Sequence, residues 1–237
     1  MSDNLLLFKG PMVRAINGGQ KTQTRRVVKQ QPEWTEPATA WEFYEVGHSG
    51  PGWYAYNEDY PEEGALFYRC PYGQPGERIL VRETFFAYGR WVTRFVAKKG
   101  RDEWHFVDMT EECGFSYLYA ADNPVRTLVA GRGPQPGWHR RPAIFMPRRA
   151  VRIFLDVVSV RVERLQDISE ADAIAEGVQS VGGGRYWLGA DGLTPRGSAA
   201  AAYRDLWISI NGAESWEANP WVWVVEFKRI EPPKGAG

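Results

Sequence analysis

Alternation of apolar and polar positions predicts most of the strands in this chain. Across 149–165 the apolar residues run Val151, Ile153, Leu155, Val157, then Val160 and Val162. That is the two-residue period of a strand with one buried face, and the slip after Val157 predicts a bulge near 156–159. Further strands are predicted at 5–8, 22–28, 78–86, 91–96, 115–120 and 221–230. In the second of these, Thr22, Thr24 and Arg26 share one face.

Helical spacing is rarer. Pro11 opens a helix whose stripe is Met12, Val13 and Ile16, and Gly18-Gly19 ends it. Ser169 caps a short helix through Glu176, with Asp172 at the capping-box position and Gly177 as the stop. A longer helix covers 198–210, with Tyr203, Leu206, Trp207 and Ile210 as its stripe. Residues 29–75 have no clear period, 131–142 read as a Gly/Pro/Arg loop, and Gly182-Gly183-Gly184 as a flexible loop. The order predicts an α+β, mainly β fold. It reads as one domain over 1–237, a small β-barrel with short helices packed at its mouth and long insertions at about 29–75 and 88–145.

Composition narrows the classes. With 29 Lys+Arg against 29 Asp+Glu in 237 residues, the chain is not a general polyanion coat. No apolar run approaches the ~18 residues of a membrane span. The opening Met-Ser-Asp-Asn lacks a secretory leader pattern, and Cys70 and Cys113 lack metal spacing. The expectation is a cytoplasmic protein with reduced thiols. Eleven tryptophans supply core and also faces on which flat rings stack.

The densest chemistry lies in GQKTQTRR, residues 19–26. An amine, a hydroxyl three residues on and a guanidinium beyond it can serve as base, nucleophile and anion holder. The same pattern is also an ordinary basic strand edge. Lys21 acts as a base only if burial or a nearby cation lowers it, and Arg26, on the face of Thr24, is the better placed cation. Glu176, at a helix C-terminus and four residues from Asp172, occupies a place suited to a proton donor, or to a solvated helix-end acid without a role.

The chain resembles the ASCH family of PUA-like proteins, in the long form common in phages and prophages. The matching blocks are GQKTQTRR at 19–26, PGERIL at 75–80, LQDISE at 165–170 continuing through Glu176, and WVVEF at 223–227. A subset of that family removes the N4-acetyl group from N4-acetylcytidine without a metal or cofactor. The resemblance implies Lys21 as proton acceptor, Thr24 as nucleophile and Glu176 as proton donor, with Glu170 and Asp172 as the neighbouring acids. It implies a modified nucleoside as substrate. Other family members are read as RNA-binding modules, so weak RNA binding without catalysis, or a ribonuclease, is the alternative.

Secondary candidates are Glu83, an acid inside a predicted strand, and Tyr88 and Trp223, rings able to stack on a pyrimidine or to serve as core. Arginines 140, 141, 148, 149 and 152 form a basic run able to track phosphates, or an ordinary charged loop. His48, His105 and His139 have no metal-ligand spacing, and no metal site is expected.

Overall fold

The computed structural model describes residues 3–32, 39–45, 50–60, 64–187 and 194–232. His48 lies outside them. In chain order the elements are β1 (Asp3–Leu7), α1 (Gly10–Asn17), β2 (Gln23–Val27), β3 (Thr39–Tyr44), β4 (Gly52–Asn57), β5 (Ala65–Tyr68), β6 (Arg78–Arg82), β7 (Phe85–Val96), β8 (Arg101–Asp108), β9 (Leu118–Tyr119), β10 (Gly137–Arg141), β11 (Phe154–Arg164), α2 (Glu170–Ala175), β12 (Gln179–Gly182), β13 (Arg185–Trp187), α3 (Ala199–Asn211), α4 (Ala213–Glu217) and β14 (Trp221–Ile230). Strand outweighs helix, as the α+β, mainly β reading expects.

The sheets are open. One has five strands in the order β1-β6-β11-β14-β2, one joins β10-β7-β8 with β9 also on β7, one is β3-β4-β5, and β12–β13 form a hairpin. No sheet among the described residues closes into the expected barrel, because β1 and β2 end the five-stranded sheet as edges. The chain divides into two compact units. One holds residues 1–5, 15–80 and 154–230, and the other 6–14, 81–153 and 231–237.

In the first unit β11 and β14 form a long antiparallel ladder, with a register shift between Val157 and Ser159. The bulge thus falls where the alternation slipped. Val222 to Val225 are all buried, which marks β14 as a strand covered on both faces. Leu80, Leu155, Leu165, Val222 and Val224 lie fully within this core, each large side chain contributing roughly 1.5–3 kcal/mol by leaving water. The aperiodic 29–75 stretch holds β3, β4 and β5. Its Trp41 and Trp53 meet Trp223 edge-on, at 6.2 and 6.3 Å between ring centroids.

The helices follow their caps. Gly19 takes φ +74° where α1 stops, and its N–H donates to the Ile16 carbonyl. Ser169 Oγ accepts the Asp172 N–H at 3.0 Å at the start of α2. On α3 Tyr203, Leu206 and Trp207 are buried, but Ile210 is exposed, so the stripe ends one turn earlier than its spacing predicts.

The predicted 78–86 strand breaks at Glu83 and Thr84, giving β6 in the five-stranded sheet and β7 in the second unit. The 131–142 loop contains β10, which pairs with β7 and sets Gly137 opposite Gly89. A Cβ on Gly89 would come within 2.2 Å of the Val107 carbonyl oxygen, so this close approach of strands requires glycine. The 115–120 strand shrinks to β9. Back in the first unit, the Gly182-Gly183-Gly184 segment is the turn of the β12–β13 hairpin, with all three residues at positive φ.

Candidate active site

Lys21 sits between α1 and β2. Its N–H donates to the Ala15 carbonyl, and its backbone bridges antiparallel to Glu176. The Thr22 N–H donates to the Ala175 carbonyl and the Phe227 N–H to the Thr22 carbonyl, both at 2.8 Å. These bonds tie the chain entering the edge strand β2 to the end of α2 and to β14. Gly177, at φ +105°, packs against this join; a Cβ there would lie 3.3 Å from Lys21 Cβ.

The Lys21 side chain is buried and directed back along the edge. Nζ donates to the Gln23 carbonyl at 2.7 Å, the Glu176 carbonyl at 2.9 Å and Glu176 Oε2 at 2.5 Å. Burial lowers its pKa from the ordinary value most strongly, Glu176 acts against that, and the charges of Arg26 and Arg25 add to the lowering.

Glu176 follows the last residue of α2 and is 3% exposed. It is no solvated helix end. Besides Lys21, its carboxylate faces Arg25, whose Nη1 lies 3.9 Å from Oε1. Both of those atoms are buried without a hydrogen-bond partner. The buried Tyr203 lies within the influence of the Glu176 charge. Burial first, then the Glu176 charge, push the Tyr203 hydroxyl well above the ordinary tyrosine range. Asp172 is not a like-charge neighbour acting alone on Glu176. It is bound by Arg25 at 3.2 Å and Arg161 at 2.9 Å. Against the raising effect of burial, Ser169 and these two arginines hold Asp172 below its ordinary range.

Strand alternation sorts the rest. In β2, Thr24 pairs with Val225 and Arg26 with Trp223, while Arg25 pairs with Val224. Thr24 and Arg26 therefore share the face bearing Trp223, and Arg25 occupies the other. Thr24 is 2% exposed. No hydrogen bond joins its hydroxyl to Lys21 Nζ among the described residues. Trp223 is buried against Trp41 and Trp53, so its ring is core and not a free stacking face. Arg25, fully buried and bound to Glu163 at 2.9 Å, is the guanidinium that faces Glu176 beside Lys21. Spacing alone favours Arg26 and shows Tyr203 only as a stripe residue. The signal available for Tyr203 was its hydroxyl on an otherwise apolar helix face.

Two other candidates belong to the second unit. Glu83 is buried and receives two bonds from Arg152, at 2.8 and 3.2 Å, which makes it half of a structural ion pair. Tyr88 packs against Phe115 and Trp138. The basic run is largely consumed internally. Arg141 is buried against aromatic rings, Arg149 binds Asp108, and Arg152 binds Glu83 and Asp122.

A groove of about 420 Å³ lies along the Arg25 face, lined by Thr22, Gln23, Ala171, Asp172, Glu226 and Phe227 among others. Lys21, Thr24 and Glu176 do not line it. Both cysteines are free; burial pushes the Cys70 thiol up to about 12 and so makes it unreactive. No described helix is long and apolar enough to cross a membrane. The chain matches no family model, no curated protein and no solved structure.

Proposed function

We propose that the chain is a metal-independent amidohydrolase that removes the N4-acyl group from N4-acetylcytidine or a related N4-acylated cytosine nucleoside. The fold that accompanies this reading is an ASCH, PUA-like one, in a cytoplasmic protein. The resemblance of the four sequence blocks supports it, and the Lys21–Glu176 bridge joins the first block to the third.

One observation carries the reading: a buried ammonium stands 2.5 Å from a buried carboxylate. Moving one proton from Nζ to Oε2 converts the pair into a neutral amine and a carboxylic acid. These are the base and the acid that amide cleavage needs, and burial lowers the Lys21 pKa toward the neutral amine. Lys21 then takes the proton of Thr24, whose Oγ1 attacks the acyl carbonyl. The C–N bond breaks as Glu176 delivers its proton to N4. Cytidine leaves, and water releases the acid from the threonine ester. Arg25 Nη1 and Glu176 Oε1 offer a donor and an acceptor to the polar edge of the substrate.

The three bonds that Nζ makes go to Gln23 and Glu176, which supports a second route to the same products, in which Lys21 activates water directly. The test is incubation with N4-acetylcytidine in chelator, following the change in cytosine absorbance. Turnover lost in Lys21→Ala and Glu176→Gln supports the reading. Loss in Thr24→Val as well assigns the ester route, and retained turnover there assigns water attack. Absence of turnover by the wild-type chain overturns the proposal.

A further inference from the structure

We propose that Arg141 and Arg132, in the second unit, bind a phosphate group carried by a nucleotide or a nucleic-acid strand. Arg141 closes β10 with only 9% of its surface exposed. Its guanidinium lies over three rings, at 4.7 Å from Trp91, 4.4 Å from Phe106 and 5.0 Å from Phe145. Rings attract a cation through their faces, but they do not accept the five N–H bonds a guanidinium makes. No carboxylate and no hydrogen-bond acceptor meets Arg141 among the described residues.

The acid that ought to neutralise it is already committed. Asp108 Oδ1 accepts from the Thr110 N–H and hydroxyl, and Oδ2 from the Tyr117 hydroxyl and Arg149. Asp108 therefore acts on Arg141 only as a nearby charge, without a direct contact, and a second cation stands beside it. The exposed Arg132 stacks on the same Trp91 at 5.0 Å. The buried His139 stands edge-on to Trp91 and Phe106. Its Nδ1 accepts the Trp91 Nε1–H at 3.4 Å, and its Nε2 is buried with no partner of good hydrogen-bond geometry. Burial and the Arg141 charge hold His139 below its ordinary range, against the pull of the Gly89 carbonyl.

A largely buried guanidinium with no carboxylate in direct contact, beside a second cation, carries a desolvation cost. A bound oxyanion compensates it, because guanidinium forks match phosphate oxygens. The charge of the surrounding chain favours phosphate over an isolated carboxylate. Residues 6–14 and 81–153 hold fifteen Lys and Arg against seven Asp and Glu, within a chain whose totals are 29 and 29. Such local excess draws polyanions.

The experiment measures anisotropy of a fluorescein-labelled oligo(dT) at low and high salt, with inorganic phosphate, uridine 5′-monophosphate and uridine as competitors. Arg141→Met and Arg132→Met are each expected to weaken binding roughly tenfold and to lower the salt slope by about one. Displacement by the monophosphate and by phosphate, but not by uridine, assigns recognition to the phosphate. Affinity that grows with strand length identifies a nucleic-acid source, and affinity independent of length a free nucleotide. Uridine competing as well as its monophosphate overturns the proposal. So does wild-type indifference to every phosphate probe, or unchanged binding in a folded Arg132→Met, which decides alone if Arg141→Met does not fold. The readout is binding, so it stands or falls independently of N4-acetylcytidine hydrolysis.

Discussion

Lys21 Nζ and Glu176 Oε2 are 2.5 Å apart, in side chains that are 0% and 3% exposed. The two residues are 155 positions apart in sequence. A buried pair of this kind is costly to break from one side, because the survivor keeps its charge without its partner. Lys21→Met is expected to destabilise the protein by about 3–5 kcal/mol. Lys21→Met with Glu176→Leu should lose far less than the sum of the two single changes. Urea unfolding of the four proteins in the cycle checks this; additive losses would mean the pair is not coupled.

The lowered Lys21 pKa has a signed consequence. Between its folded value and the ordinary 10.5, the unfolded chain holds a proton on Lys21 that the folded chain has released. Stability therefore rises with pH across that window. Tyr203 acts in the opposite sense. Its folded value is raised, so above 10.0 the folded chain keeps a proton that the unfolded chain loses, and stability falls. Lys21→Met should flatten the rise and Tyr203→Phe the fall, read as urea midpoints at stepped pH.

Gly177 holds the Lys21–Glu176 join in a backbone conformation that side chains rarely adopt. Gly177→Ala places a Cβ 3.2 Å from Ala15 Cβ and 3.3 Å from Lys21 Cβ at φ +105°. The expected loss is about 1–3 kcal/mol of stability. Turnover of N4-acetylcytidine should fall through kcat, since Lys21 shifts while the rest of the site stays. A thermal melt and steady-state kinetics on one preparation separate the two effects.

Arg152 is predicted to matter for folding and not for hydrolysis. It binds the buried Glu83 through two nitrogens and also pairs with Asp122. Arg152→Met leaves Glu83 without its cation, at an expected cost of about 3–5 kcal/mol. Glu83→Leu with Arg152→Met should recover part of it. Burial raises the Glu83 pKa despite Arg152, so some of the single-variant loss should be relieved at acid pH, where the carboxyl is neutral. Denaturant midpoints at acid and neutral pH test this.

Much of the fold was legible because its causes are local. Two-residue alternation located β11 and its bulge, and a capping serine with a following glycine located α2. The β3–β5 sheet was not legible, since strands with polar and aromatic residues on both faces show no period until a partner strand supplies the bonds. Likewise β10 was hidden in a Gly/Pro/Arg segment and is defined by its pairing with β7.

The sequence by itself determined which residue types sit together at β2: an amine just before it, then a hydroxyl and two guanidinium groups along it. Only the tertiary structure decided that α2 brings Glu176 to Lys21 and Arg25, that tryptophans cover the Arg26 face, and that Tyr203 is buried within the influence of the Glu176 charge. The reason is range. Periodicity and capping act over a few residues, whereas burial and ion pairing depend on which distant segment packs against a face, and that is settled when the whole chain folds.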